Sequence, residues 1–125
     1  MVAVTGVIDQ PSSESGEAID IAHLSRMTLG EHSLKHEVLA LFDRQADILL
    51  LRIRGGAPAV AAVSAHTLRG SAAGIGAFKV ARAVEAVEQT QGFEARDAAV
   101  AAAIDTLAVV LEEAKAEIAR LLQTS

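Results

Sequence analysis

His66 is followed three residues later by Arg69 and four residues later by Gly70, inside a segment otherwise made of small and apolar residues. In a helix, positions three and four apart are neighbours on one face. The spacing therefore sets an imidazole beside a permanent positive charge and a gap. An imidazole is the side chain best suited to accepting and releasing a group near neutral pH. A glycine one turn from an exposed histidine leaves another molecule room to reach that ring.

A helix is expected from about Pro58 to Ile75, with Pro58 in the first turn, where its missing N–H costs nothing, and Gly74 and Gly76 at its end. On a wheel of about 100° per residue, Ala61, Ala65, Leu68, Ala72 and Ile75 fall on one side and form its core stripe. The opposite side carries Ala59, Ala62, His66, Gly70 and Ala73, with Arg69 at the border. An outward face is normally charged, yet this one is a histidine ringed by Ala and Gly. Gly70 costs roughly 1 kcal/mol relative to Ala in mid-helix. That cost is explained if the face is a docking surface and the missing side chain gives another molecule room to reach the ring.

The rest of the chain must position this face. Its 125 residues suit one domain with a single core. Apolar residues make up 51% and aromatic residues 2%, and 26 residues are Ala, a balance that favours helices over strands. Residues 1–17 are expected to be a flexible tail ahead of a domain covering 18–125. Asp20 is placed to cap a short first helix ending at Gly30, with Ile19 and Leu24 as a hydrophobic staple. A second helix is expected from about Ser33 to Arg54, on a ladder of Leu34, Val38, Leu41, Phe42, Gln45, Ile48, Leu49 and Arg52. A fourth runs from about Ala77 to Gln91 with Val80, Val84 and Val87 inward, and Gly92 breaks it. The last runs from about Glu94 to Leu122 on Val100, Ile104, Leu107, Leu111, Ala114, Ile118 and Leu121. Long helices with short glycine-rich connections predict an all-α fold: an antiparallel four-helix bundle with a short additional N-terminal helix.

Composition also narrows the function. A net charge of −5 and the near absence of aromatics argue against nucleic-acid binding. With no cysteine there is no disulfide, no thiolate metal site and no cysteine nucleophile. The apolar start, Met1 to Ile8, is short and lacks a basic flank, unlike a signal peptide. Ala98 to Leu111 is interrupted by Asp105 and is too short to span a membrane. A cytoplasmic protein without membrane contact is expected. His32 and His36 lie one turn apart, but His36-Glu37 begins a His-Glu-x-x-His pattern that fails at Ala40, so no metal site is read there. His23 has no evident partner. Gly74-x-Gly76 lacks the third glycine of a dinucleotide fingerprint, and Gly70 to Lys79 does not fit a P-loop.

The run His66-Thr67-Leu68-Arg69-Gly70-Ser71-Ala72-Ala73-Gly74-Ile75-Gly76-Ala77 resembles the signature of histidine-containing phosphotransfer (HPt) domains: His-x-Leu-Lys-Gly-Ser, a few residues, then Gly-Ala. The resemblance extends over about residues 18–122. Ile19-Asp20 looks like the family's opening helix cap. Val38 to Phe42 resembles its Leu-rich second helix ending in Phe, and Val87-Glu88 its Leu-Glu pair. Arg69 stands where Lys is commoner, which keeps the charge. Ala72 replaces a frequent Ser on the inward side of the wheel.

The resemblance implies a histidine phosphotransferase of a two-component phosphorelay, a phosphoryl carrier without kinase activity of its own. His66 would take a phosphoryl group on Nε2 from an aspartyl phosphate of one receiver domain and pass it to an Asp of another. Arg69 would offset the phosphoryl charge, Gly70 would admit the receiver, and Ser71 would support the helix pair. With the helix turn near Ala77, antiparallel packing sets His66 level with Glu88 and Arg69 level with Glu85. Glu88 is then expected to hold the inner nitrogen of His66, with Gln89 as the alternative. No cofactor is expected on this chain, and the Mg2+ ion of such transfers belongs to the receiver. The protein is expected to be a monomer whose partners are receiver domains of response regulators or hybrid kinases. Two other readings stand beside this one. The first is a non-catalytic helical interaction module. The second is a dimeric bundle like a kinase dimerisation domain, against which Thr67 counts because an acidic residue usually follows the histidine there.

Overall fold

The computed structural model describes residues 17–90 and 98–123. The expectations placed on residues 1–16, on Gly92 and on Glu94 lie outside the described residues. Five helices account for nearly all of the described chain: α1 (Ile21–Met27), α2 (His32–Gly55), α3 (Pro58–Gly74), α4 (Phe78–Glu88) and α5 (Ala98–Gln123). The fold is all-α, as composition and periodicity predict, with no strand among the described residues. No helix among them is long and apolar enough to cross a membrane.

Four helices close a ring: α2 packs on α3, α3 on α4, α4 on α5, and α5 back on α2. Ion pairs give the direction of the last contact. Arg54 Nη1 meets Asp105 Oδ1 at 3.3 Å, while Lys115 Nζ lies 3.0 Å from both Asp43 Oδ1 and Asp47 Oδ2. Rising numbers on α2 meet falling numbers on α5, so these two run in opposite directions. Burial works against the Lys115 charge, but hydrogen bonds and charge from Asp43 and Asp47 outweigh it and hold the ammonium above its usual pKa.

The short α1 is set by its cap. Asp20 Oδ1 accepts from the His23 backbone N–H at 3.1 Å, and Ile19 and Leu24 are both fully buried. The helix ends at Met27 rather than running to Gly30. Leu29 and Gly30 then take left-handed backbone (φ 56° and 71°), and the Gly30 N–H returns to the Ser25 carbonyl at 2.8 Å, closing the C-terminal turn. A second stitch ties this segment to the α3–α4 turn. The Asp20 N–H donates to the Gly76 carbonyl at 2.9 Å. Gly76 has φ 87°, and a Cβ there would lie 2.7 Å from the Asp20 carbonyl oxygen, so the residue meets two demands that only glycine satisfies.

The core matches expectation in three helices. Ala61, Ala65, Leu68, Ala72 and Ile75 are buried from α3 and its cap; Val80, Val84 and Val87 from α4; and Val100, Ile104, Leu107, Leu111, Ala114 and Ile118 from α5, with Leu121 partly buried. Helix α2 differs. Its buried residues are Leu39, Phe42, Ala46, Leu49 and Ile53, the three-and-four stripe next to most of the predicted one. Leu39 is 1% exposed, whereas Leu41 is 45% and Ile48 50% exposed. Gln45 and Arg52 in the predicted ladder lie outside the core because that stripe faces solvent. The helix is apolar on two sides, and only one of them is covered.

Candidate functional site

His66 projects from the middle of α3 and is exposed, with Ala59, Ala62, Gly70 and Ala73 along the same side of the helix. Neither Ala62 nor Ala73 is buried, and nothing lies within 4 Å of where a Gly70 Cβ would stand. The space beside the ring is therefore open. Helix α3 contains no acidic residue, and its only charged side chain besides the titratable histidine is Arg69.

Arg69 organises the site. Its Nη2 lies 3.2 Å from His66 Nδ1. Its Nη1 faces α4, at 3.5 Å from Glu88 Oε1 and 3.8 Å from Glu85 Oε2. The hairpin thus brings together four of the predicted residues: His66, Arg69, Glu85 and Glu88. Arg69, expected level with Glu85, reaches both Glu85 and Glu88. The group on the inner nitrogen of His66 is Arg69, however, and Glu88 reaches the ring only through that guanidinium. The reason is reach. Arg69 sits three residues from His66 on the same helix, and its long side chain fills the gap between α3 and α4 before a shorter carboxylate can cross it. Gln89 is exposed at the C-cap of α4, where its backbone N–H caps the Glu85 carbonyl.

Two depressions flank this ridge. One, on the α3–α4 side, has a volume of about 460 Å³ and is lined by Arg69, Gly70, Ala73, Phe78, Ala81, Arg82 and Glu85. The other, of about 300 Å³, lies between α2 and α3 and is lined by Gln45, Ile48, Leu49, Arg52, Val63, Ser64 and Thr67. It continues past Val60 and Ala59 at one end. Ser71 lines a smaller cleft with Val38, Leu41, Phe42, Gln45 and Ile75.

The solvent-facing stripe of α2 and Val63, which is 67% exposed, thus extend the small-residue face into an apolar strip. The ladder predicted for α2 groups Leu41 and Ile48 with Phe42 and Leu49, but the structure leaves the first two exposed. The signal that finds them is the polar pair Gln45 and Arg52 inside an otherwise apolar ladder, which marks that ladder as a surface. Arg44 and Arg52 edge this strip on the outer side of α2, whereas Arg69 on α3 is paired with Glu85 and Glu88.

The other histidines are set apart. His23 packs edge-on against Phe78, ring centroids 5.0 Å apart, which supplies the partner the sequence does not reveal. His32 and His36 lie with ring centroids 4.9 Å apart. Among the described residues, no three His, Cys, Asp or Glu side chains cluster in a way that could hold a metal ion.

Comparison of the chain with protein-family models, with curated proteins and with solved structures gives no match.

Proposed function

We propose that the chain is a phosphoryl carrier of the HPt type, in which His66 accepts a phosphoryl group from an aspartyl phosphate on a receiver domain and passes it to an aspartate on another. The observation that carries this reading is an exposed histidine on a helix face cleared of bulk, with a guanidinium one turn away that α4 holds through Glu85 and Glu88. A phosphoryl group bound to nitrogen carries about two negative charges, and its transfer depends on positioning and charge compensation rather than on covalent help from other side chains. Arg69 is the residue placed to compensate.

In the transfer, His66 Nε2 attacks phosphorus with its lone pair. The N–P bond forms, the P–O bond to the donor aspartate breaks, and the carboxylate leaves with the electron pair. The reverse series delivers the group to the next aspartate. Any metal ion in the reaction sits in the acidic pocket of the receiver. The apolar strip of Leu41, Ile48 and Val63, edged by Arg44 and Arg52, supports docking of a partner whose contact surface is apolar at its centre and acidic around it.

The experiment is transfer from a phosphorylated receiver to the purified chain. The expected product is acid-labile, base-stable label on this chain, lost in His66→Gln. Label retained in that variant, or none on the wild type with several receivers, overturns the proposal. A chain that binds receivers but never takes label is an interaction module.

A further inference from the structure

The Arg69–His66 contact has a chemical consequence for the ring. A guanidinium is a donor only and remains charged throughout the working pH range. A nitrogen 3.2 Å from it must accept, so it carries a lone pair and no proton. While Arg69 donates to Nδ1, the neutral form of the His66 ring carries its proton on Nε2, the outward nitrogen. The nucleophile that relay chemistry requires at Nε2 has the opposite arrangement, with the proton on Nδ1. Arg69 thus holds the ring in the form that does not attack.

We infer that Arg69 is a positioning latch on His66 that exchanges partners during transfer: resting, it joins Nδ1 to Glu85 and Glu88; phosphorylated, it moves to the phosphoryl oxygens and leaves Glu88 to accept from Nδ1–H. The second half rests on the relay reading; the first stands on the contact alone. The exchange balances. Nε2 gives its proton to water and Nδ1 takes one from water, so the neutral ring keeps one proton. Arg69 must leave at that point, because an Nδ1–H offers it no lone pair. Attack by Nε2 then gives a ring that is cationic at Nδ1–H, next to the anionic phosphoryl group. Glu88 lies 3.5 Å from the departing guanidinium, and its carboxylate can take the vacated place. Glu85, at 3.8 Å and more exposed, is the outer tether. Glu88 acts on the ring in this scheme only once Arg69 has left it.

The test is ¹⁵N spectroscopy of the histidine side chains in the full chain, with the His66 signals assigned by their loss in His66→Gln, at a pH where the ring is neutral. The expected wild-type spectrum has an acceptor-type Nδ1 and a protonated Nε2. In Arg69→Met the Nδ1–H form gains population, toward the mixture of a free imidazole. Equal populations in wild type and Arg69→Met overturn the latch. For the second state the chain is phosphorylated chemically with phosphoramidate, without a partner. Nδ1–H is expected to exchange with solvent several-fold faster in Glu88→Ala, which has no acceptor, than in wild type; equal exchange overturns the partner exchange. The two readings fail separately. A chain that shows the Arg69-dependent ring shift but takes no label from receivers loses the relay reading and, with it, the phosphorylated half of the latch. A chain that relays with unchanged ring populations loses the latch alone.

Discussion

Replacing Gly70 by Ala separates what a helix wants from what a docking face wants. Gly70 lies inside α3, and a Cβ there meets nothing within 4 Å. The added methyl therefore costs no packing and removes the backbone entropy penalty of a helical glycine, about 1 kcal/mol. Unfolding entropy is roughly 2.1 cal/mol/K per residue. Over 125 residues that gives about 0.26 kcal/mol/K, so the variant is expected to melt about 4 °C higher. The same methyl stands one helical turn, about 5.4 Å, from the His66 backbone, in the space a partner must enter. An overlap there costs about 1–3 kcal/mol, which is a loss of roughly 5- to 160-fold in kcat/KM for transfer. The assays are thermal unfolding by circular dichroism and single-turnover transfer from a phosphorylated receiver. Gly74→Ala is the control: its Cβ also meets open space, but it lies two turns from the histidine and should leave transfer unchanged. A stabilised Gly70→Ala protein that transfers at the wild-type rate refutes the access argument. An unstabilised one refutes the helix argument.

Three further outcomes test the fold and the face. Leu39→Ala should cost about 2–5 kcal/mol in urea unfolding and Leu41→Ala less than about 1 kcal/mol, since the first is buried and the second is not; equal costs would contradict the observed face of α2. Ile48→Asp and Val63→Asp should leave the melting temperature within a few degrees, because both side chains are exposed, yet weaken receiver binding at least tenfold by calorimetry; unchanged affinity removes the apolar strip from the interface. Lys115→Met should lose less than about 1 kcal/mol at neutral pH, as Asp43 and Asp47 are largely solvated. The folded pKa of Lys115 is raised above its usual 10.5, so its contribution is complete below that pH and fades as pH climbs through the folded value. The stability gap between wild type and Lys115→Met should therefore close in strong alkali, and a gap that widens there would contradict the ion pair.

Much of α3, α4 and α5 was legible because each has one apolar stripe against a polar or small-residue background. Leu68 among alanines and the three valines of α4 leave one choice of phase. Helix α2 offered two stripes, Leu39-Phe42-Ala46-Leu49-Ile53 and Val38-Leu41-Gln45-Ile48-Arg52, which share one helix one residue apart. A sequence pattern records where apolar residues are, not whether another helix covers them. The exposed histidine and its missing neighbours were readable from spacing alone. The occupant of Nδ1 was not, because a flexible guanidinium reaches in several directions and only the packed hairpin selects one. The Asp20–Gly76 stitch was hidden for a similar reason: it joins residues 56 positions apart through backbone atoms, which side-chain patterns do not encode.

His66, Arg69, Glu85 and Glu88 all lie on the α3–α4 hairpin, within 22 residues of one another. By contrast, the ion pairs joining α2 to α5 link residues 51 to 72 positions apart. Contacts of short sequence separation close small loops and form early in folding, while distant ones wait for the chain to come together. The candidate constellation is thus a local property of one hairpin, whereas closure of the ring depends on contacts between distant parts of the chain. In native-state hydrogen exchange, opening of α5 can then precede loss of the α3–α4 pairing. Sequence drift along α5 would alter how long the molecule stays folded before it altered how its histidine reacts.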